Sequence, residues 1–238
     1  VFPGRRQACH RRAVGAGRVR AMSDLFEGLL RPYDERRRAE LVAAYMAVEH
    51  AAEPVPEVRF PALREPALRR ALEEMLALTG RTLVRAAPKE WTSGYRDDVH
   101  AALAADPSCT PPAEDRAVLT LVLVHSVAIP RAAGLLGEDT WRSAHPAGAD
   151  ELRRRSQLPV GELDAALRRL RAAGLVTQVK AGAGDAGGYV PGPQFHRLTP
   201  AARRRLQEEL ILAAGPDSPL AAAVRTRRAA EAQQGDPA

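Results

Sequence analysis

Apolar residues along this chain recur mostly with the helical period, broken at short intervals by proline and glycine. Leu25, Phe26, Leu29 and Leu30 predict a short helix stopped by Pro32. Leu41, Ala44, Tyr45 and Val48 fall on one face of a longer helix at about 33–52. Pro54, Pro56 and Pro61 enforce an extended connector. A further helix is predicted at about 65–79, carrying Leu68, Leu72, Met75 and Leu76 and ending at Gly80. Thr82-Leu83-Val84 permits a short strand, Trp91-Thr92-Ser93-Gly94 reads as a loop, and 95–105 reads as a helix with Val99 and Leu103 inward. Residues 22–112 are thus expected to form a helical N-terminal region.

The second half carries sharper signals. Thr110-Pro111-Pro112-Ala113-Glu114-Asp115 is a helix start, with acids near the positive end of the helix. The run Val118–Val127 is apolar almost all round, which predicts a buried central helix, and Ile129-Pro130 is expected to break it. Residues 134–148 read as a loop. A short helix at 150–155 is followed by a turn at 156–159. A helix from Val160 to Ala173 then ends at Gly174, with Leu163, Ala166, Leu167 and Leu170 on one stripe. Residues 175–180 predict a strand, 182–188 a glycine-rich tip and 189–198 the returning strand. Thr199-Pro200 caps a last helix with Ala202, Leu206, Leu210 and Ala213 on one side.

The stretches "ADELRRRSQLPVGELDAALRRLRAAGLVTQV" and "HRLTPAARRRLQEEL" resemble the winged helix-turn-helix domain of MarR-like and related transcription regulators. The resemblance covers about 113–214, with the central helix as the domain's first helix; residues 22–112 match no family. It implies a mostly α fold, a winged helix-turn-helix with a small β-hairpin wing, preceded by the helical region. It also implies a protein that binds double-stranded DNA, with 160–173 as recognition helix in the major groove and the wing against backbone. The residues it places at such an interface are Gln157, Gly161, Glu162, Ala165, Arg168, Arg169, Lys180 and Arg197. Arg168 and Arg169 are the base readers among them. Similar winged helices also serve as protein-binding parts of accessory, kleisin-binding subunits in condensin-like complexes, and this is the alternative. Glu162 and Asp164, near the end of the helix that normally reaches base edges, favour it.

Charge sharpens the choice. The net charge is +6, yet six arginines (Arg5, Arg6, Arg11, Arg12, Arg18, Arg20) lie in residues 1–21, so the rest of the chain is neutral. Segment 22–148 has a net charge of −4 and segment 149–214 a net charge of +4. Only Lys89 and Lys180 among the 35 basic residues are lysine, a bias that matches a GC-rich genome and weakens arginine abundance as a sign of partners. Residues 1–21 fit a translated segment upstream of a start at Met22, a disordered basic arm, or a targeting peptide. The first is favoured because Met22-Ser23-Asp24 opens the amphipathic pattern at once. Residues 215–238 are expected to be a disordered tail.

Chemistry at a catalytic or metal site is not legible. Gly182-Ala-Gly184-Asp-Ala-Gly187 matches a dinucleotide fingerprint, but Pro191 and Pro193 follow where a helix is required. The six histidines lack the i, i+4 spacing of a helical zinc pair, and Cys9 and Cys109 form no framework with them. His125 reads as a hydrogen-bonded core residue. Glu73-Glu74 and Asp97-Asp98 are adjacent on helices and point apart. No apolar run reaches the roughly 18–20 residues of a membrane span. The expectation is a non-enzymatic, cytoplasmic protein without metal or cofactor. Its partners are expected to be double-stranded DNA, a second copy through the last helix, and a protein partner through the helical N-terminal region.

Overall fold

The computed structural model describes residues 25–138, 140–180 and 187–234. The chain divides into two compact units, residues 1–96 and residues 97–238. Each has the winged-helix order of elements: helix, short strand, two helices, then a β-hairpin.

In the first unit a helix α1 at 25–30 precedes α2 (Glu35–His50), whose N-terminus is capped by Asp34 accepting from the Arg37 amide at 2.8 Å. The strand β1 (Val55–Pro56) leads into α3 (Pro61–Arg64) and α4 (Pro66–Leu78), each with proline in its first turn. A hairpin of β2 (Arg81–Ala87) and β3 (Glu90–Tyr95) follows, with Lys89 left-handed at its turn (φ 62°). The strand order is β1-β3-β2, antiparallel throughout. The core is the predicted one: Leu41, Ala44, Tyr45 and Val48 of α2 pack against Leu68, Leu72, Met75 and Leu76 of α4.

The helical reading of 22–112 therefore missed a sheet. Trp91–Gly94, read as a loop, is the central strand, and Thr92, Ser93 and Gly94 in it are buried. Buried hydroxyls are tolerated there because each has a partner. Thr92 Oγ1 donates to the Val48 carbonyl at 3.4 Å, and Ser93 Oγ donates to Glu49 Oε2 at 2.6 Å. Glu49 also pairs with Arg81 at 2.7 Å, so one carboxylate of α2 ties both strands of the hairpin to it.

The second unit opens with α5 (Asp97–Ala105), on which Leu103 is exposed rather than inward. The central helix α6 (Ala113–Leu123) does not break at Ile129-Pro130. It runs through a π-turn (Val124–Ala128) into α7 (Ile129–Ala132). The π-turn lets the Ile129 amide reach the Val124 carbonyl, and Pro130 removes the amide that would have served Ser126. The Ser143 hydroxyl donates to that orphaned Ser126 carbonyl instead. After Ala147, which bridges Tyr189 as a one-residue strand, come α8 (Ala149–Ser156) and α9 (Val160–Ala172). The wing strands are β4 (Val176–Val179) and β5 (Gly188–Pro191), with β5 between Ala147 and β4. The returning strand is shorter than the expected 189–198, because Pro193–Arg197 coils into a 3-10 turn.

Leu152, Leu163, Ala166, Leu167 and Leu170 bury against Val118 and Val122. A second cluster stacks Trp141 on Phe195 (5.4 Å between centroids) beside Val127 and Leu210 of α10 (Pro200–Ala214). Thr199 caps α10 as expected, accepting from the Ala202 amide at 3.1 Å. The tail expected to be disordered contains a helix, α11 (Pro219–Gln234). Ala221 and Val224 are buried, and Arg228 pairs with Glu208 and Glu209 of α10 at 2.8 Å each. The alanine-rich run of α11 gave no amphipathic stripe from which to read this anchoring. Residues 1–24 and most of the glycine-rich tip, 182–186, lie outside the described residues, as do the expectations placed on them.

Two backbone positions should be the most sensitive. Ser143→Ala leaves the Ser126 carbonyl buried without a donor and should cost about 1–3 kcal/mol in urea denaturation. A Cβ on Gly192 would run into the Gly174 carbonyl. Gly192→Ala should therefore cost about 1–3 kcal/mol, whereas Gly161→Ala, in open space on α9, should gain up to about 1 kcal/mol.

Candidate interaction surface

The helix in the recognition position of the second unit is α9, amphipathic in the predicted register, with Leu163, Ala166, Leu167 and Leu170 buried. Its outer face presents Val160, Gly161, Glu162, Asp164, Arg168, Arg171 and Ala172 to solvent, with Ala165 half-buried. The first turns are therefore acidic and apolar, and the cations sit toward the C-terminal end, the arrangement that the helix dipole favours.

Arg169, expected as a base reader, is half exposed on α9 but turned to an acid of the central helix. Its guanidinium clasps Asp115 in the first turn of α6, with Nε 2.9 and 3.1 Å from the two carboxylate oxygens and a further bond from NH2. The Asp115 side chain is 6% exposed and that of Arg169 is 51% exposed. The Asp115 hydrogen bonds hold the guanidinium more firmly protonated than usual. This cation is tied to α6 through its Nε and NH2 edge, and its charge is matched by Asp115.

The arginines flanking α9 are similarly occupied. On α8, Arg153 pairs with Asp150 at 2.9 Å, and Arg155 and Arg154 both pair with Glu151. Hydrogen bonds from Arg155 and Arg154 bring the Glu151 carboxyl down to about 2, so it remains charged across any working pH. His125 lies half-buried with Nε2 3.9 Å from Glu151, at the edge of this cluster rather than in the apolar core. Arg205 pairs with Asp97 at 3.1 Å. Arg197 is half-buried in the 3-10 turn and already engaged. Gln157 is exposed at the left-handed residue (φ 54°) that ends α8, and Lys180 is exposed at the end of β4.

Of the residues expected at the interface, Arg168 and Lys180 remain as exposed cations without an ion pair among the described residues. Arg171 joins them. It lies three positions after Arg168 on the same outer stripe, and a helical wheel drawn through Ala172 would have shown it. Arg168, Arg171 and Ala172 form one wall of an open groove of about 620 Å³. The other wall is the first wing strand, through Val176, Thr177 and Gln178.

The first unit has its own helix in the recognition position, α4, which the sequence predicts as a helix at about 65–79 but not in that role. Outward on α4 are Arg70, Glu73, Glu74 and Leu78, a face without net positive charge. Arg69 turns back to the Leu63 carbonyl at 2.8 Å and stands 4.9 Å from the Trp91 ring. The signal was present in Arg81–Ala87 and Glu90–Tyr95, two runs rich in β-branched and aromatic residues separated by Pro88-Lys89.

No family model matches the chain, and no curated protein matches it. Two solved structures align at low similarity. A conserved hypothetical protein from Chlorobium tepidum shares 19% identity over 68% of this chain and 95% of its own, with a TM-score of 0.25. ScpB from Mycobacterium tuberculosis shares 20% identity over 67% of this chain and 91% of its own, with a TM-score of 0.24. These values assign no family. The fold rests on the chain's own element order, and among the described residues no helix is long and apolar enough to cross a membrane.

The Asp115–Arg169 clasp should be asymmetric. Arg169→Ala strands a buried carboxylate, whereas Asp115→Asn frees a guanidinium that already reaches water. Arg169→Ala should lower the midpoint of thermal unfolding more than Asp115→Asn, and the double variant should recover part of that loss. Equal losses in the two single variants would contradict the assignment.

Proposed function

We propose that this is a non-enzymatic protein of two winged helices whose main work is docking a protein partner, in the manner of the winged-helix accessory subunits of condensin-like SMC–kleisin complexes. The observation that carries this reading is electrostatic. Both helices in the recognition position present outer faces without a net positive charge, because Glu73 and Glu74 offset the arginines of α4, and Glu162 and Asp164 offset Arg168 and Arg171 on α9. Duplex binding depends on neutralising phosphates with free cations, each of which contributes a counterion-release slope of about 0.9. Here Arg153, Arg154, Arg155 and Arg169 are held by carboxylates of their own domain.

The second reading is a DNA-binding transcription regulator, favoured by one observation: Arg168, Arg171 and Lys180 stand exposed beside the wing. A regulator of that kind would use them as phosphate contacts rather than as base readers.

Titration of the full chain against random duplex at two salt concentrations separates the readings. Protein docking predicts dissociation constants weaker than the roughly 10⁻⁴ M limit of ordinary non-specific binders, with Glu162→Gln/Asp164→Asn tightening them only slightly. Affinity purification from the parent organism should recover a long coiled-coil ATPase together with a kleisin, identified by mass spectrometry. Micromolar duplex binding with a steep salt slope, lost in Lys180→Ala and Arg168→Ala, would overturn the proposal in favour of the regulator.

A further inference from the structure

The groove between α9 and β4 has two properties that neither wall has alone. The first is an unused strand edge. Ala147 and Tyr189 exchange both backbone hydrogen bonds at 2.9 Å, so the polar groups of Tyr189 point away from β4. Tyr189 stands opposite Gln178, and in an antiparallel ladder such a pair makes no bonds between its own members. The Gly192 amide donates to the Leu175 carbonyl at 2.9 Å, which fixes the same alternation one step along. The amides and carbonyls of Val176 and Gln178 therefore point away from β5; Val176 is buried, so the open part of this edge, which no described strand covers, is at the exposed Gln178. Pro191 fits this register, because it lies opposite Val176, where no bond to β4 is made.

The second property is charge. Arg168 and Arg171 line the groove facing that edge and make no ion pair among the described residues, although nearly every arginine around them does. The apolar part of the lining is small, Ala172 and Val176, which leaves room for a backbone to approach.

We propose that this groove receives an extended acidic segment of a protein partner, which adds as a strand to the outer edge of β4 and sets carboxylates on Arg168 and Arg171. Main-chain hydrogen bonds to the amide and carbonyl of Gln178 supply affinity, and the two guanidinium groups select acidic side chains. This inference rests on the protein-docking reading and names the chemistry of its partner. A duplex suits the groove less well. Laid across α9, it would bring phosphates against Glu162 and Asp164 as well as the arginines, whereas a single extended chain along β4 meets only the cationic half of the helix.

The test uses the full chain and a short fluorescent peptide alternating glutamate with valine and threonine. The peptide should bind at low salt, and Arg168→Glu/Arg171→Glu should weaken it at least about tenfold with the far-ultraviolet dichroism unchanged. Binding should slow amide hydrogen exchange at Gln178. A version N-methylated at alternate backbone positions should lose most of its affinity, because it cannot complete the ladder. The inference is overturned if the lysine-for-glutamate peptide binds as well, if the N-methylated peptide binds equally, or if the Gln178 amide gains no protection. Random duplex titrated in the same buffer separates the two failures. Micromolar duplex binding removes the docking reading itself, whereas no duplex binding together with an unprotected Gln178 amide removes only the strand addition.

Discussion

The clasp of Arg169 on Asp115 is the constraint on which the character of this surface depends. It joins the first turn of α6 to the recognition helix across 54 residues of sequence, and so sets how α9 lies against the core. It also matches with a carboxylate a half-exposed cation that a DNA-reading helix would keep free. A buried carboxylate cannot stand alone, so Arg169 is held in place by Asp115. The electrostatic character of α9 is then decided by the residues left outside, which balance.

The same economy of charge recurs in both units. Glu49 holds Arg81 and Ser93 and anchors the first hairpin to α2. Glu151 holds Arg154 and Arg155, while Glu208 holds Arg227 and Arg228. An arginine-rich composition thus becomes a set of internal ties, and the few cations left beside the wing gain significance from their neighbours' engagement. Arg168 and Arg171 face a strand edge, which gives their position a chemical meaning that charge counting along the chain did not supply.

How much of this was legible in the sequence varied with the kind of interaction. The second winged helix was readable because its helices carry apolar stripes at the helical period, Gly174 ends α9 in the left-handed region (φ 69°), and Thr199 caps α10. The first was not, because its central strand is polar and its burial depends on a carboxylate 44 residues away in sequence. The passage through Pro130 escaped notice for a related reason. A proline reads as a helix stop when only its own segment is considered, but Ser143 supplies the missing donor from a later loop.

Local sequence determined the helices with amphipathic faces, the caps and turns, and the concentration of surplus arginine in residues 1–21 outside a neutral body. These follow from periodicity and from the conformational preferences of glycine and proline, which act between near neighbours. Tertiary structure alone decided which arginines remain at the surface, which polar runs can be buried, and which strand edge stays open. Each of these depends on partners tens of residues away, since a charge or a backbone amide is neutralised by whatever the fold brings within hydrogen-bonding distance, whatever its place along the chain.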